Sequence, residues 1–248
     1  MPSDSPVPQA PSVPSAPGAT GRERAPRVLV VTAVPAEAEA VTAGAPGLDV
    51  LAGGVGPAAV AASTAIALTT ARAAGTPYDL VVSAGIGGGF APHAPLGAVV
   101  VADAILAADL GADTPDGFLP VEELGFGRGT HLPPPALIAR MAERLSASPD
   151  FPTVLAPVLT VSTVTGTARR TVELTARHPR AAAEGMEGFG VAEAAAAHLL
   201  PCAEIRAISN VVGPRDRAAW RIGAALESLQ RAFSLLNPVF EESSHECR

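Results

Sequence analysis

Short β-branched runs alternate with alanine-rich helical stretches along most of this chain, and that alternation restricts the fold more than any other feature. Residues 27–34 read RVLVVTAV and stop at Pro35, and residues 36–41 have helical composition, so a buried strand feeds a helix. The unit then repeats. A short strand at residues 49–52 enters a glycine turn at 53–56, and Pro57, well suited to a first helical turn, opens a helix over 58–73. Residues 79–83 form a third strand that ends in a glycine loop at 84–89, and a further strand follows at 97–102. Beyond it come a helix at 134–146, a strand at 156–162, a polar loop at 163–167 and a helix near 169–176. The series closes with a short strand at 181–187, a helix at 188–199, a last strand at 204–209 and a helix at 218–236 that stops before Pro238. This order predicts a single α/β domain, with a central mixed and mostly parallel β-sheet flanked by helices. Residues 109–135 are too long and too rich in Gly, Pro and Asp for a casual connection, which suggests a role in binding or in subunit contact.

At 248 residues and 48% hydrophobic positions, one domain of this kind buries a full core. The domain is placed at residues 27–240. The Pro-, Ser- and Ala-rich residues 1–26 have neither the charge nor the apolar run of a signal peptide and read as a disordered tail, as do residues 241–248. No apolar stretch is long enough and free enough of Gly, Pro and charge to span a bilayer, so no membrane partner is expected. The 24 acidic residues outnumber the 17 basic ones, and no basic cluster is present to neutralise a phosphate backbone, which argues against nucleic acid. Cys202 and Cys247 are too few for a disulfide framework, and a reducing cytosol fits them best. Neither they nor the five histidines show ligand spacing, so no metal and no cofactor is expected.

In α/β folds ligands gather at the C-terminal ends of strands, and four stations lie there: Glu37, residues 83–90, the Glu184-Gly185-Met186-Glu187 segment, and Ser209-Asn210. Glu37 follows a buried strand and suits a general base for water; the alternative is a solvent-facing Glu in a first helical turn, favoured by the helix dipole. The glycines of residues 83–89 would let backbone amides approach a ligand, or they simply make a tight turn needing positive φ; Phe90 breaks the dinucleotide spacing. Met186 and Glu187 could meet a sugar, or could be a core Met beside a helix-start Glu. Glu184 is the weaker candidate for the sugar.

At these stations the chain resembles the purine nucleoside phosphorylase/nucleosidase superfamily, in particular the methylthioadenosine/S-adenosylhomocysteine nucleosidases. Their landmarks are a strand-end Glu, a Ser-x-Gly-x-Gly-Gly loop, a Met-Glu pair and an Ile-Ser-Asp segment, and the likeness runs from about residue 27 to 236. Within that superfamily, Ile208-Ser209-Asn210-Val211-Val212-Gly213-Pro214-Arg215-Asp216-Arg217 and Asp109-Leu110-Gly111-Ala112-Asp113-Thr114-Pro115-Asp116-Gly117-Phe118 look like segments of futalosine hydrolases. The resemblance implies cofactor-free hydrolysis of futalosine to hypoxanthine and its sugar, within a menaquinone route. It implies that Glu37 activates water, Glu187 and Met186 hold ribose, Ser209 and Asn210 address the purine, and Gly85 and Ile86 bring backbone near the base. Thr165 and Gly166 are assigned to the base pocket from their position after a strand. The resemblance also implies a homodimer or higher homo-oligomer in which residues 109–118 close a partner's site.

Asn210 departs from the Asp of adenosine-type nucleosidases. An amide offers one donor and one acceptor, so it can accept from N7–H as the purine leaves while donating to a 6-oxo group, which favours hypoxanthine or guanine; a turn-capping Asn is the alternative. Arg215 and Arg217 are candidates for the carboxylate of futalosine, against local pairing with Asp216. Val81 and Val82 stand where a phosphorylase would carry a phosphate-binding Arg, which favours water as the nucleophile. The rival readings are an adenosine-type nucleosidase, a 6-oxopurine phosphorylase and a non-enzymatic nucleoside sensor.

Overall fold

In the computed structural model residues 25–242 are described, so most of both expected tails lies outside them, as does Cys247. The chain runs β1 (Val28–Thr32), α1 (Pro35–Gly44), β2 (Asp49–Ala52), α2 (Pro57–Ala73), β3 (Leu80–Gly89) and β4 (Val99–Ala107). A hairpin of β5 (Gly111–Thr114) and β6 (Gly117–Pro120) follows, then β7 (Thr130–His131), α3 (Pro135–Ser146), β8 (Thr153–Thr160) and α4 (Ala168–Arg177). The last elements are β9 (Ala183–Gly185), α5 (Gly188–Ala197), β10 (Cys202–Val211) and α6 (Ile222–Glu242).

The expected mixed α/β sheet is present, and it also closes on itself. Strands β10, β4, β8, β9 and β3 are hydrogen-bonded in that order, and β3 pairs back onto β10, completing a barrel-like ring. The ring closes because β3 has three partners. Its first half, Leu80–Ser83, lies parallel to β1; its end, Gly88 and Gly89, lies antiparallel to β9; and β10 runs parallel along the other edge. β1 carries β2 outward as an extension of the ring.

Both faces of β1 are covered, which is why its sequence is an uninterrupted apolar run. Val28 and Val30 pack into a core with Val41 of α1, Met141 of α3 and Phe233 of α6. Leu29 and Val31 face the opposite way, toward Val60 and Leu68 of α2 and Val191 and Ala195 of α5. Cys202 is buried, and that burial pushes its thiol pKa up. No described helix is long and apolar enough to cross a membrane.

Four expectations are corrected or refined. Residues 84–89 are not a glycine loop but the second half of β3, and none of Gly85, Gly87, Gly88 and Gly89 has positive φ. Close approach requires their missing side chains: a Cβ on Gly87 would stand 2.7 Å from the Glu184 carbonyl oxygen, and one on Gly89 would stand 2.3 Å from that of Ala94. The long connection at 109–135 holds a two-stranded hairpin and the short β7, which pairs with β4. The closing helix does not stop before Pro238 but passes through it to Glu242, taking in the first two residues of the expected C-terminal tail. Proline forfeits one helical hydrogen bond and crowds the preceding turn, and burial of Val239 and Phe240 beyond it offsets that cost. The strand expected over 181–187 is confined to β9.

The Phe240 ring lies 5.9 Å from that of Phe233 and is 1% exposed. Phe240→Ala is therefore expected to lower unfolding free energy by about 3–5 kcal/mol in urea titration, whereas a disordered segment after Leu236 would leave it unchanged.

Candidate active site

The strand ends of β1, β3, β9 and β10 surround a cavity of about 450 Å³. Glu37, Ile86, Thr165, Met186, Glu187, Ser209, Asn210 and Arg215 all line it, so the structure gathers residues from every one of the four stations. Gly85, Gly166 and Arg217 do not. Gly85 sits behind the cavity wall, where a Cβ would come within 2.6 Å of Glu37 Oε1 and 2.9 Å of Arg206 Nη1. Gly166 contributes its carbonyl to the Arg215 amide at 3.2 Å, and Arg217 opens a 3-10 turn on the outside.

Glu37 is placed by the turn from β1 into α1. Pro35 begins the helix, and the third helical residue points its side chain back over the helix start instead of into solvent. Its Oε2 accepts from the Ala33 amide at 2.9 Å and the Val34 amide at 3.3 Å, and its Oε1 accepts from Ile86 at 2.9 Å. With only 3% of its surface exposed, Glu37 is not the solvent-facing residue of the alternative reading. Glu39, two residues on, is exposed.

Glu187 begins α5. Its Oε1 accepts from the Gly56 amide at 3.2 Å, and its Oε2 from its neighbour Met186 and from Arg206 Nη1, the latter at 3.3 Å. Arg206 is the residue that strand-end reasoning missed. Its side chain is fully buried, with Nε donating to Glu204 at 2.8 Å and Nη2 to the Ser83 hydroxyl at 3.1 Å. Burial disfavours its charge, yet the carboxylates of Glu204, Glu187 and Glu37 outweigh burial and hold its pKa above the ordinary arginine value. The signal lay in the sequence: Glu204 and Arg206 are opposite charges two residues apart in an apolar strand, hence on one face.

A bulge in β10 between Ile208 and Asn210 shifts the register on β3, so that Asn210 stands opposite Gly88. The Ser209 hydroxyl lies 2.9 Å from Asn210 Oδ1 and 3.2 Å from the Gly87 carbonyl. Glu184, on β9, also lines the cavity and is 5% exposed. It accepts from the Thr165 amide at 2.8 Å and from the Thr165 hydroxyl. Burial pushes its carboxyl above the usual range, against the opposing pull of those two hydrogen bonds. Arg215 lies 5.3 Å from the centre of the Trp220 ring at the mouth, while Asp216 accepts from the Ala218 amide at 3.1 Å, so in place of the alternative, local Arg–Asp pairing, there are a cation–π contact and a turn cap.

The chain matches the sequence model of the phosphorylase superfamily over residues 27–238. It belongs to that superfamily. It is 59% identical to the futalosine hydrolase of Streptomyces coelicolor over 86% of this chain and 96% of the relative. It is 43% identical to that of Acidothermus cellulolyticus over 86% and 91%. Within the superfamily the chain therefore groups with the futalosine hydrolases. Among solved structures, an S-adenosylhomocysteine nucleosidase from Streptococcus pyogenes superposes with a TM-score of 0.73 at 19% identity, covering 89% of this chain and 99% of that one. An adenine-bound nucleosidase from Colwellia psychrerythraea gives 0.70 at 22%, covering 87% and 96%. These two share the fold of this superfamily member.

Removing the guanidinium would strand two buried carboxylates. Arg206→Met is expected to cost about 3–5 kcal/mol of unfolding free energy in urea titration, the range for a broken buried ion pair. The same change at the exposed Arg215 is expected to stay within about 0.5 kcal/mol.

Proposed function

We propose that this chain hydrolyses the N-glycosidic bond of futalosine, releasing hypoxanthine and the dehypoxanthinyl sugar for a menaquinone route, without a cofactor. The observation that carries the reading is the fixed Glu37 carboxylate, clasped by three backbone amides at the wall of a nucleoside-sized cavity. A water beside Glu37 forms its bond to the anomeric carbon as the bond to purine N9 breaks. Glu37 takes the water proton, the bonding electrons leave with the base, and the purine anion takes up a proton at N7 from solvent, Glu37 releasing its own to solvent afterwards. Glu187 accepts from ribose hydroxyls and, with Arg206 fixing its position, stabilises the oxocarbenium-like sugar; Met186 lies against the ring. Asn210, braced by Ser209, meets the departing base on its N7 and 6-oxo side.

Phosphate fits this cavity poorly. Among the described residues lining it, Arg215 at the mouth is the one cation, against Glu37, Glu184, Glu187 and Asp216. Arg206, just behind, is already engaged by carboxylates. The stacked Arg215 is positioned to receive the substrate carboxylate. We place the enzyme in the cytosol as a homo-oligomer, a reading supported by its thiol usage and by its resemblance to dimeric relatives.

Chromatography of purine release tests this directly: futalosine should yield hypoxanthine at a rate unaffected by added phosphate, while adenine release from methylthioadenosine should be negligible. Glu37→Gln is expected to lower kcat by about 10²–10⁴-fold with little change in KM. Arg215→Ala is expected to raise the KM for futalosine and leave kcat nearly unchanged; an unaltered KM would remove the carboxylate contact.

A further inference from the structure

Glu204 is a buried carboxylate that the mechanism above leaves unused. It lies inside β10 with none of its side chain exposed, two residues before Arg206, so both side chains leave the same face of the strand. Its Oε1 accepts from Arg206 Nε at 2.8 Å, while among the described residues its Oε2 has no hydrogen-bond partner. Gly188, the first residue of α5, is bare against it: a Cβ there would stand 2.2 Å from Oε2 and 2.3 Å from Oε1. An unpaired acceptor shut away from water costs stability, so folding alone gives little reason for a carboxylate at this place.

The count of charges supplies a reason. Glu187, at the cavity wall, accepts from Arg206 Nη1 at 3.3 Å, and the other acceptors on the guanidinium are neutral, the Ser83 hydroxyl and the Ile86 carbonyl. With Glu187 alone, Arg206 would form a neutral pair, in which the guanidinium cancels most of the attraction that the carboxylate offers to a positive sugar. Glu204 changes that balance. One guanidinium held between two carboxylates leaves the three groups with a net negative charge. Of the carboxylates that hold the Arg206 charge against burial, Glu204 acts most strongly, ahead of Glu187 and Glu37. Burial raises the pKa of Glu204 itself, and its contact with Arg206 works against that rise.

We infer that Glu204 is a positioning residue that takes up the charge of Arg206, so that Glu187 keeps its own for the oxocarbenium-like sugar. This rests on the proposed function, in which Glu187 meets the ribose. Glu204 does not line the cavity and acts only through the guanidinium. Its hold on Nε turns the far side of the guanidinium so that Nη1 faces Glu187 and Nη2 faces Ser83. The negative charge is therefore set from behind the wall, out of reach of the water that attacks the sugar.

The test compares two ligands that differ in charge at the sugar and does not depend on turnover. One is a 9-deazahypoxanthine C-nucleoside whose ribose is replaced by a protonated pyrrolidine; the other is 9-deazainosine, its neutral ring-oxygen counterpart. Dissociation constants for both are measured by calorimetry on the full chain and on Glu204→Gln, which keeps an acceptor for Arg206 and drops the charge. The neutral ligand reports whether the variant's pocket is intact. Wild type should bind the cation more tightly, and Glu204→Gln should lose about tenfold of that preference, the effect of a unit charge roughly 10 Å away through the effective dielectric of a protein. Its kcat for futalosine should fall by a similar factor with KM little changed, because the sugar cation arises only in the transition state. Adding Arg206→Met to Glu204→Gln removes the guanidinium as well and should recover the preference; it also serves if Glu204→Gln alone fails to fold, since an apolar side chain then replaces the unbalanced cation. An unchanged preference in Glu204→Gln, parallel weakening of both ligands, or a double variant that stays low would each overturn the inference. If futalosine is not hydrolysed but the preference falls, the proposed function fails and Glu204 keeps its role; if futalosine is hydrolysed and the preference stays fixed, the reverse holds.

Discussion

The buried guanidinium of Arg206 is the constraint around which the site is built. A fully desolvated cation survives only if carboxylates and neutral acceptors surround it, and here it meets Glu204, Glu187 and the Ser83 hydroxyl, with Glu37 acting on it through space. Those groups arrive from four elements. The pairing of β3 with β10 that closes the ring also sets Ser83 opposite Glu204 and Gly85 opposite Arg206, so closure of the sheet and neutralisation of the charge are satisfied by one register. Gly85 is bare because the carboxylate of Glu37 and the guanidinium occupy the space of its side chain.

Carboxylates outnumber the cation in this cluster, and the imbalance falls on Glu204. Burial pushes its pKa above the usual range even with Arg206 in contact, and the neighbouring Glu187 charge acts in the same direction. Its Oε2 has no hydrogen-bond partner and would lie 2.2 Å from a Cβ on Gly188, so the start of α5 is packed directly against it. The same helix start carries Glu187. Glu204 and Glu187 thus meet Arg206 from opposite sides, one within β10 and one at the cavity wall.

Chemistry placed at strand ends was legible in the sequence; chemistry placed inside a strand was not. Glu37, Met186, Glu187, Ser209 and Asn210 follow β-branched or apolar runs, and the elementary expectation that ligands sit past strand ends puts them in one cavity, where the structure has them. Arg206 and Glu204 lie mid-strand in CAEIRAIS, where an apolar run draws attention away from two charges sharing a face. The glycines of β3 were legible as important but not as strand, because composition cannot distinguish a residue that needs positive φ from one that needs an absent Cβ. Ring closure depends on β3 pairing with β10, more than a hundred residues away, and no local pattern announces that contact. Pro238 misled for a related reason: its effect on the helix is local and readable, while the burial of Phe240 that offsets it is tertiary.

The two ends of the cavity hold their carboxylates by different means. At the Arg206 end the charges are fixed in advance by mutual neutralisation, which suits stabilising a sugar whose positive charge exists only transiently, because no group there must reorganise as that charge develops. At the Glu184 end the carboxylate is held by neutral Thr165 donors, with Arg170 acting only at longer range, and burial raises its pKa. A preset field of the first kind suits the reacting centre.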